Sequence, residues 1–316
     1  MITAFAFVSV LAVAPLHGAL VRYRVNYVPK TVRLLSSDDE RGGQPEESSL
    51  RPHVPGFFRT LGRVKKIEGW AGMYKGIMPR LMAPVVAMLL VNLITLGVNG
   101  SNGFNSPGLI WRLPVLILIM PLIILINRSI ITPYRLPFFG PTRSLRIILS
   151  DAERRAPWIL FLTPGLLIAQ ALQVSYAVGL VYFRRTLMPN LTISSSSVRL
   201  KDISPMWPVL FVGVALLSTL VLTPLEVIAA RVSVQPNFTA SEPKPAPGAG
   251  TEADIKAVGA LYNPDEDVIR LRGSDEMDPG PYTGFIDCGK RIIIEEGWRT
   301  LYRGWWITLI ACLSAA

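Results

Sequence analysis

The chain of 316 residues carries little charge: 17% of it is Asp, Glu, Lys or Arg, whereas 50% is hydrophobic. Soluble domains hold more charge than this and spread it more evenly. Cysteine is nearly absent. Cys288 and Cys312 match no metal spacing and cannot supply a disulfide framework. Histidine occurs only at His17 and His53, far apart in the chain, and no catalytic triad, glycine-rich phosphate loop or paired-carboxylate arrangement stands out. These absences argue against an enzyme and leave no cofactor or metal to expect.

What is abundant is apolar sequence in long runs. Candidate spans lie near 1–21, 77–98, 109–134, 157–183 and 205–230, with a shorter sixth from Gly304 to Ala316. The middle four are long enough to cross a hydrocarbon core of about 30 Å at about 1.5 Å per helical residue. The chain therefore reads as an all-α membrane protein, with the lipid bilayer as its first partner. Its opening, "MITAFAFVSVLAVAPLHG", has the apolar core of a secretory leader but no basic segment before it, and is read as a span.

The formal net charge of +10 invites a nucleic-acid partner, but its placement points elsewhere. If the spans alternate, residues 22–75, 135–156 and 231–303 share one side with 25 Lys/Arg, against 5 on the other. Bases gather on the untranslocated side of a membrane, so no nucleic acid is expected. The polar segments 33–56 and 235–282 fall on this basic side. Their composition is that of flexible linkers, open to protein partners. Residues 57–67 ("FFRTLGRVKKI") and 284–295 ("GFIDCGKRIIIE") alternate apolar and basic positions at helical spacing, as short helices against a membrane face do.

Two patterns recur. "EGWAGMYKGIMPRL" from Glu68 and "EGWRTLYRGWWITL" from Glu296 share Glu-Gly (Glu68-Gly69, Glu296-Gly297), tryptophan, tyrosine and then base-Gly (Lys75-Gly76, Arg303-Gly304). "PLHGALVR" from Pro15 and "PLEVIAAR" from Pro224 share a polar residue two positions after the proline (His17, Glu226) and an arginine seven after it (Arg22, Arg231). A decayed middle copy is expected at Pro133 in "TPYRLPFFG", with Arg135 and Gly140 in those two places. "ERRAPWILFLTPGL" follows from Glu153, its Pro164 aligning with Pro79. Self-similarity of this kind divides the chain into 1–98, 109–183 and 205–316.

This arrangement resembles the mitochondrial carrier family over nearly the whole chain outside the long loops. The resemblance implies a six-helix bundle of three two-helix pseudo-repeats with short surface helices, moving a solute across a mitochondrial membrane by alternating access. It implies a gate of ion pairs after the three prolines. Here the acidic places hold His17, Arg135 and Glu226 and the basic places hold Leu20, Phe138 and Ala229, so Glu226 is expected to pair with Arg128 or Arg22. The helix ends "NLITLGVNG" and "VGLVYFRRTL" contain no acid, which leaves the opposite gate without its carboxylates.

Substrate contacts in the family fall seven residues after the motif glycine, at Ala83, Ile168 and Ala311, all apolar. Asn92, Gln170, Gln173 and Arg128 are the remaining polar candidates, while Arg80 reads as a boundary residue. The expected solute is small and weakly charged or neutral. The run after Gly304 is short, so the last helix is expected to be incomplete. The inner membrane is the first expectation, with residues 22–75 and 231–303 in the matrix. The alternative is a transport-inactive carrier-fold scaffold of the outer membrane, acting in fusion, insertion or protein interaction.

Overall fold

The computed structural model describes residues 2–30, 56–98, 109–137, 140–163, 165–187, 206–235, 262, 268–272 and 280–314. Pro164, Phe138 and most of the two polar loops lie outside the described residues. Within them all regular structure is helical. The long helices are α1 (Ile2–Val25), α4 (Ile77–Val98), α5 (Leu109–Ile131), α8 (Leu166–Leu187) and α9 (Met206–Val234). Shorter ones are α2 (Phe57–Ile67), α3 (Gly69–Met73), α6 (Pro141–Ile148), α7 (Asp151–Arg155), α10 (Phe285–Arg291) and α11 (Trp305–Ser314).

These limits follow the chemistry of the chain. Gly69–Leu93 and Val209–Val234 are long and apolar enough to cross a membrane, and only 11% and 39% of their apolar windows are buried. A core helix of a soluble protein would be mostly covered; here Met82, Met88, Leu89 and Leu93 stand exposed. The run 157–183 is not one helix. A 3-10 turn over Pro157–Leu162 precedes α8, with the break at Thr163–Gly165. In α2, Phe57, Thr60 and Val64 are buried at spacings of three and four, whereas Arg59, Lys65 and Lys66 are exposed.

Three helices form the centre. α1, α5 and α9 touch one another pairwise, α4 packs on α1 and α5, α8 on α5 and α9, and α11 on α9. They meet through Val21 and Val25, Ile126 and Ile130, and Ala230 and Val234. Beside this seam each central helix places an arginine on a buried glutamate. Arg22 donates to Glu68 at 2.5 Å, and Lys75 joins the same carboxylate at 2.6 Å. Arg128 grips Glu153 with two bonds of 2.6 and 2.9 Å. Arg231 and Arg303 share Glu296.

Arg22, Arg128 and Arg231 all lie seven residues after a proline, namely Pro15, Pro121 and Pro224. The segment "PLIILINR" from Pro121 thus shares the proline-to-arginine spacing, which the segment at Pro133 lacks. α5 has already ended at Ile131, and Arg135 stacks over the Tyr262 ring. Ile123 occupies the second position after Pro121, so nothing polar marks this copy within its apolar run. Arg128, expected as a solute contact, is spent on Glu153 and is 4% exposed.

The same bases finish neighbouring helix ends, whose last carbonyls have no partner within the helix and favour cations. Arg231 donates to the carbonyls of Arg24 (3.1 Å) and Asn26 (3.3 Å). Arg128 does likewise to Ser233 (3.2 Å) and Gln235 (2.6 Å). Lys75 caps the Thr132 carbonyl at 2.6 Å, and Arg303 caps that of Asn26. Within the stretch 235–282, expected as a flexible linker, the described residues Tyr262 and Arg270–Arg272 pack against these helix ends. An average over composition hides such single aromatic and apolar side chains.

Glycine is required where the chain re-enters the bundle. Gly304 has φ +77°, and a Cβ there would meet Leu20 Cδ1 at 2.6 Å; at Gly76, φ +73°, a Cβ would collide with the Ser129 hydroxyl and lie 3.2 Å from the Ile126 carbonyl. Replacing Gly304 or Gly76 by Leu is expected to abolish recovery of folded protein, measured by size-exclusion of detergent-solubilised material. Retained yield with an altered solute preference would refute that structural role. Glu153→Gln leaves Arg128 buried without its counter-charge and is expected to destabilise by about 3–5 kcal/mol. Thermal unfolding in detergent reads this, and the double variant Arg128→Met/Glu153→Met is expected to recover part of the loss.

Candidate functional site

A fourth ion pair differs from the three buried ones. Glu226, two residues after Pro224 on α9, accepts from Arg24 Nη2 of α1 at 2.5 Å. Thr308 of α11 donates its hydroxyl to the same carboxylate oxygen at 2.6 Å and lies 3.0 Å from the guanidinium. Arg24 Nε reaches the Arg303 carbonyl at 3.4 Å. The cluster thus ties α1, α9 and the start of α11 together. Its glutamate side chain is 29% exposed, against 4% or less for Glu68, Glu153 and Glu296. The pair is thus the least enclosed of the four. Breaking it therefore costs less than breaking any of the other three.

The sequence reading paired Glu226 with Arg128 or Arg22. Both are held elsewhere, by Glu153 and Glu68, and Arg24 takes the carboxylate instead. A signal for it existed: Arg24 lies four residues beyond Leu20, one helical turn further along the same face. Thr308, four residues after Gly304, carried no signal of its own.

His17, in the corresponding place on α1, lacks a carboxylate's charge. Its Nδ1 is buried with no hydrogen-bond partner among the described residues, and Arg80 and Arg24 stand within electrostatic reach. The apolar contact positions do not share one environment. Ala83 packs against the seam of α1, α5 and α9, whereas Ile168 on α8 is 56% exposed and Ala311 on α11 is exposed too. Asn92, Gln170 and Gln173 are half-buried, and Gln173 Nε2 is enclosed without a partner among the described residues. Among the described residues no group of His, Cys, Asp and Glu is arranged for a metal. Burial pushes the Cys288 thiol up to about 12, which keeps it protonated and unreactive.

Comparison with known proteins bears on the part of the chain that holds Glu226 and Thr308 of this cluster. Residues 206–316 match the family described as mitochondrial carrier protein. No curated protein matches the chain. The matched stretch, about a third of the chain, contains α9 with Glu226, the Arg231–Glu296–Arg303 network and α11 with Thr308, and over these residues the chain is similar to the mitochondrial carrier family.

Proposed function

We propose that this protein moves a small, weakly charged or neutral solute across a mitochondrial membrane by alternating access, with the Glu226–Arg24–Thr308 cluster as a breakable tie on its basic side. The proposed architecture is a bundle of three two-helix pseudo-repeats, entered at Pro15, Pro121 and Pro224. Carriers transport solutes and do not catalyse reactions, and this chain is read in the same way. The observation that carries the proposal is the contrast in exposure between Glu226 and the three buried glutamates. Three pairs hold each hairpin to its own helix. The fourth joins different parts of the bundle and is the least enclosed, so solute binding can offset its loss.

The apolar positions Ala83, Ile168 and Ala311 support a solute without strong charge, because desolvated anions need paired bases. Polar contacts would come from Asn92, Gln170 and Gln173, whose amides suit neutral groups. The same apolar positions also favour a second reading, a carrier-fold scaffold of the outer membrane that binds protein partners through its basic-side loops. The count of bases supports the inner membrane, with residues 22–75 and 231–303 in the matrix.

Thermal-shift screening of the reconstituted chain against amino acids, amides, carboxylates, phosphate and nucleotides tests the solute class. Stabilisation by neutral or zwitterionic solutes is expected, with uptake of the same solutes into liposomes cut at least tenfold by Glu226→Gln. Stabilisation by nucleotides or tricarboxylates alone would refute the proposed class. For topology, a protease-cleavable tag inserted near Gly250 is expected to survive protease treatment of intact mitoplasts. Its cleavage in intact mitochondria would move the protein to the outer membrane and favour the scaffold.

A further inference from the structure

The connection between α9 and α10 returns to the helix ends in a way that solute transport does not explain. At one point Tyr262 donates its backbone N–H to the Pro133 carbonyl, just past α5, at 3.3 Å. The Lys75 ammonium lies 4.2 Å from the centre of its ring and the Arg135 guanidinium 5.1 Å, so two cations sandwich or flank one aromatic. Further on, the chain pairs with the end of α1. The Arg270 N–H donates to the Asn26 side-chain oxygen at 3.0 Å, and the Tyr27 N–H donates to the Arg270 carbonyl at 2.9 Å.

Between these anchors sits the decisive residue. Leu271 packs on the apolar cluster of Val21, Val25, Ile126, Ile130, Ala230 and Val234, which is the seam where α1, α5 and α9 meet. Arg272 then binds Glu295 at 2.8 Å and lies over the Tyr282 ring at 4.4 Å. One short stretch thus contacts the basic ends of all three central helices at once.

We infer that Tyr262 and Arg270–Arg272 form a strap that holds the basic ends of α1, α5 and α9 together, an inhibitory contact that must leave before those ends separate. The geometry distinguishes this from simple loop packing. A loop folded for its own stability would rest on one helix or on itself, whereas Leu271 sits on the line along which the three helices would part. The anchors on either side are hydrogen bonds and cation–aromatic contacts made by largely buried groups, Asn26, Tyr27, Lys75 and Tyr282 among them, and the Arg22–Glu68, Arg128–Glu153 and Arg231–Glu296 pairs can stay intact when they part. The strap therefore adds a second closure to the Glu226 tie, on the same side of the protein and from a different segment.

The test does not require a known solute, so its failure would be distinct from failure of the transport reading. In a Cys288→Ala/Cys312→Ala background, Val25→Cys places a thiol in the apolar cluster that Leu271 packs against. Ala169→Cys places a control in the separate core around Met120 and Leu166. Full-length protein in liposomes is treated with a water-soluble maleimide, with and without the paired substitution Tyr262→Ala/Leu271→Ser. The strap predicts at least a tenfold faster labelling of Val25→Cys on release, with Ala169→Cys still protected and the unfolding temperature of the two forms alike. Unchanged labelling of Val25→Cys would overturn the inference. Equal gains at both thiols would overturn it too, because the segment would then be a part of the fold and not a closure.

Discussion

A guanidinium buried on a carboxylate at the basic end of a proline-bearing helix is the constraint on which the rest of this protein rests. Removing both ions from water costs several kcal/mol for each, and the attraction between them repays this only in good geometry with the remaining hydrogen-bond sites filled. Glu296 meets that condition by receiving Arg231, Arg303 and the backbone N–H of Val28. Meeting it fixes where the chain goes next. Arg303 can reach Glu296 only if the turn over Trp298–Tyr302 lies against α9, and that turn delivers Gly304 onto Leu20. The helix that then begins at Trp305 presents Thr308 to Glu226. The polar cluster is thus placed by a buried pair one turn of chain away.

Magnitudes separate what can move from what cannot. Breaking a fully buried pair by removing one partner costs about 3–5 kcal/mol, and exposed pairs are worth about 0–1 kcal/mol. The Glu226–Arg24 pair lies between these limits. A solute held at millimolar affinity supplies about 4 kcal/mol. That is enough to offset one partly exposed tie, and far too little to release Glu68, Glu153 and Glu296 together. Any opening of the basic side must therefore keep the three buried pairs and move each central helix with its own hairpin as a rigid unit. The capping contacts restrict the motion further. Arg231 holds carbonyls of α1, and Arg128 holds carbonyls at the end of α9, so those helices must slide or pivot about these bonds.

Much of this was legible from residues alone, for reasons that are local. The limits of α4 and α2 match the sequence reading because an apolar run or an amphipathic period is a property of the segment itself. Glu68 and Glu296 stood out because each is followed by Gly-Trp and then by a tyrosine, a base and a glycine. Pro121 and Arg128 do not stand out in the sequence because they lie inside an apolar run with Ile123 at the second position, whereas Pro133 marks the end of that run. Arg24 was missed because fixed spacing from Pro15 pointed to Leu20, whereas a helix face also offers the position one turn on. Tyr262 and Leu271 were missed because composition averages a segment, and two anchors in a polar stretch barely change its mean. Each miss lies where contact depends on parts of the chain far apart in sequence.

The same accounting of partners limits what the interior can recognise. Arg22, Arg24, Arg128, Arg231, Lys75 and Arg303 all lie near the basic ends of the central helices, and a bundle rich in bases would ordinarily attract anions. Every one of them is already held by a carboxylate, and most also by backbone carbonyls. An anion entering from the other side would have to displace a covalently tethered glutamate, whose effective concentration a free solute at millimolar levels does not match. Displacement would also strand that glutamate in a dry site, at a cost the new pair would have to cover. A neutral solute would meet neither penalty, which is the physical ground for the solute class proposed above.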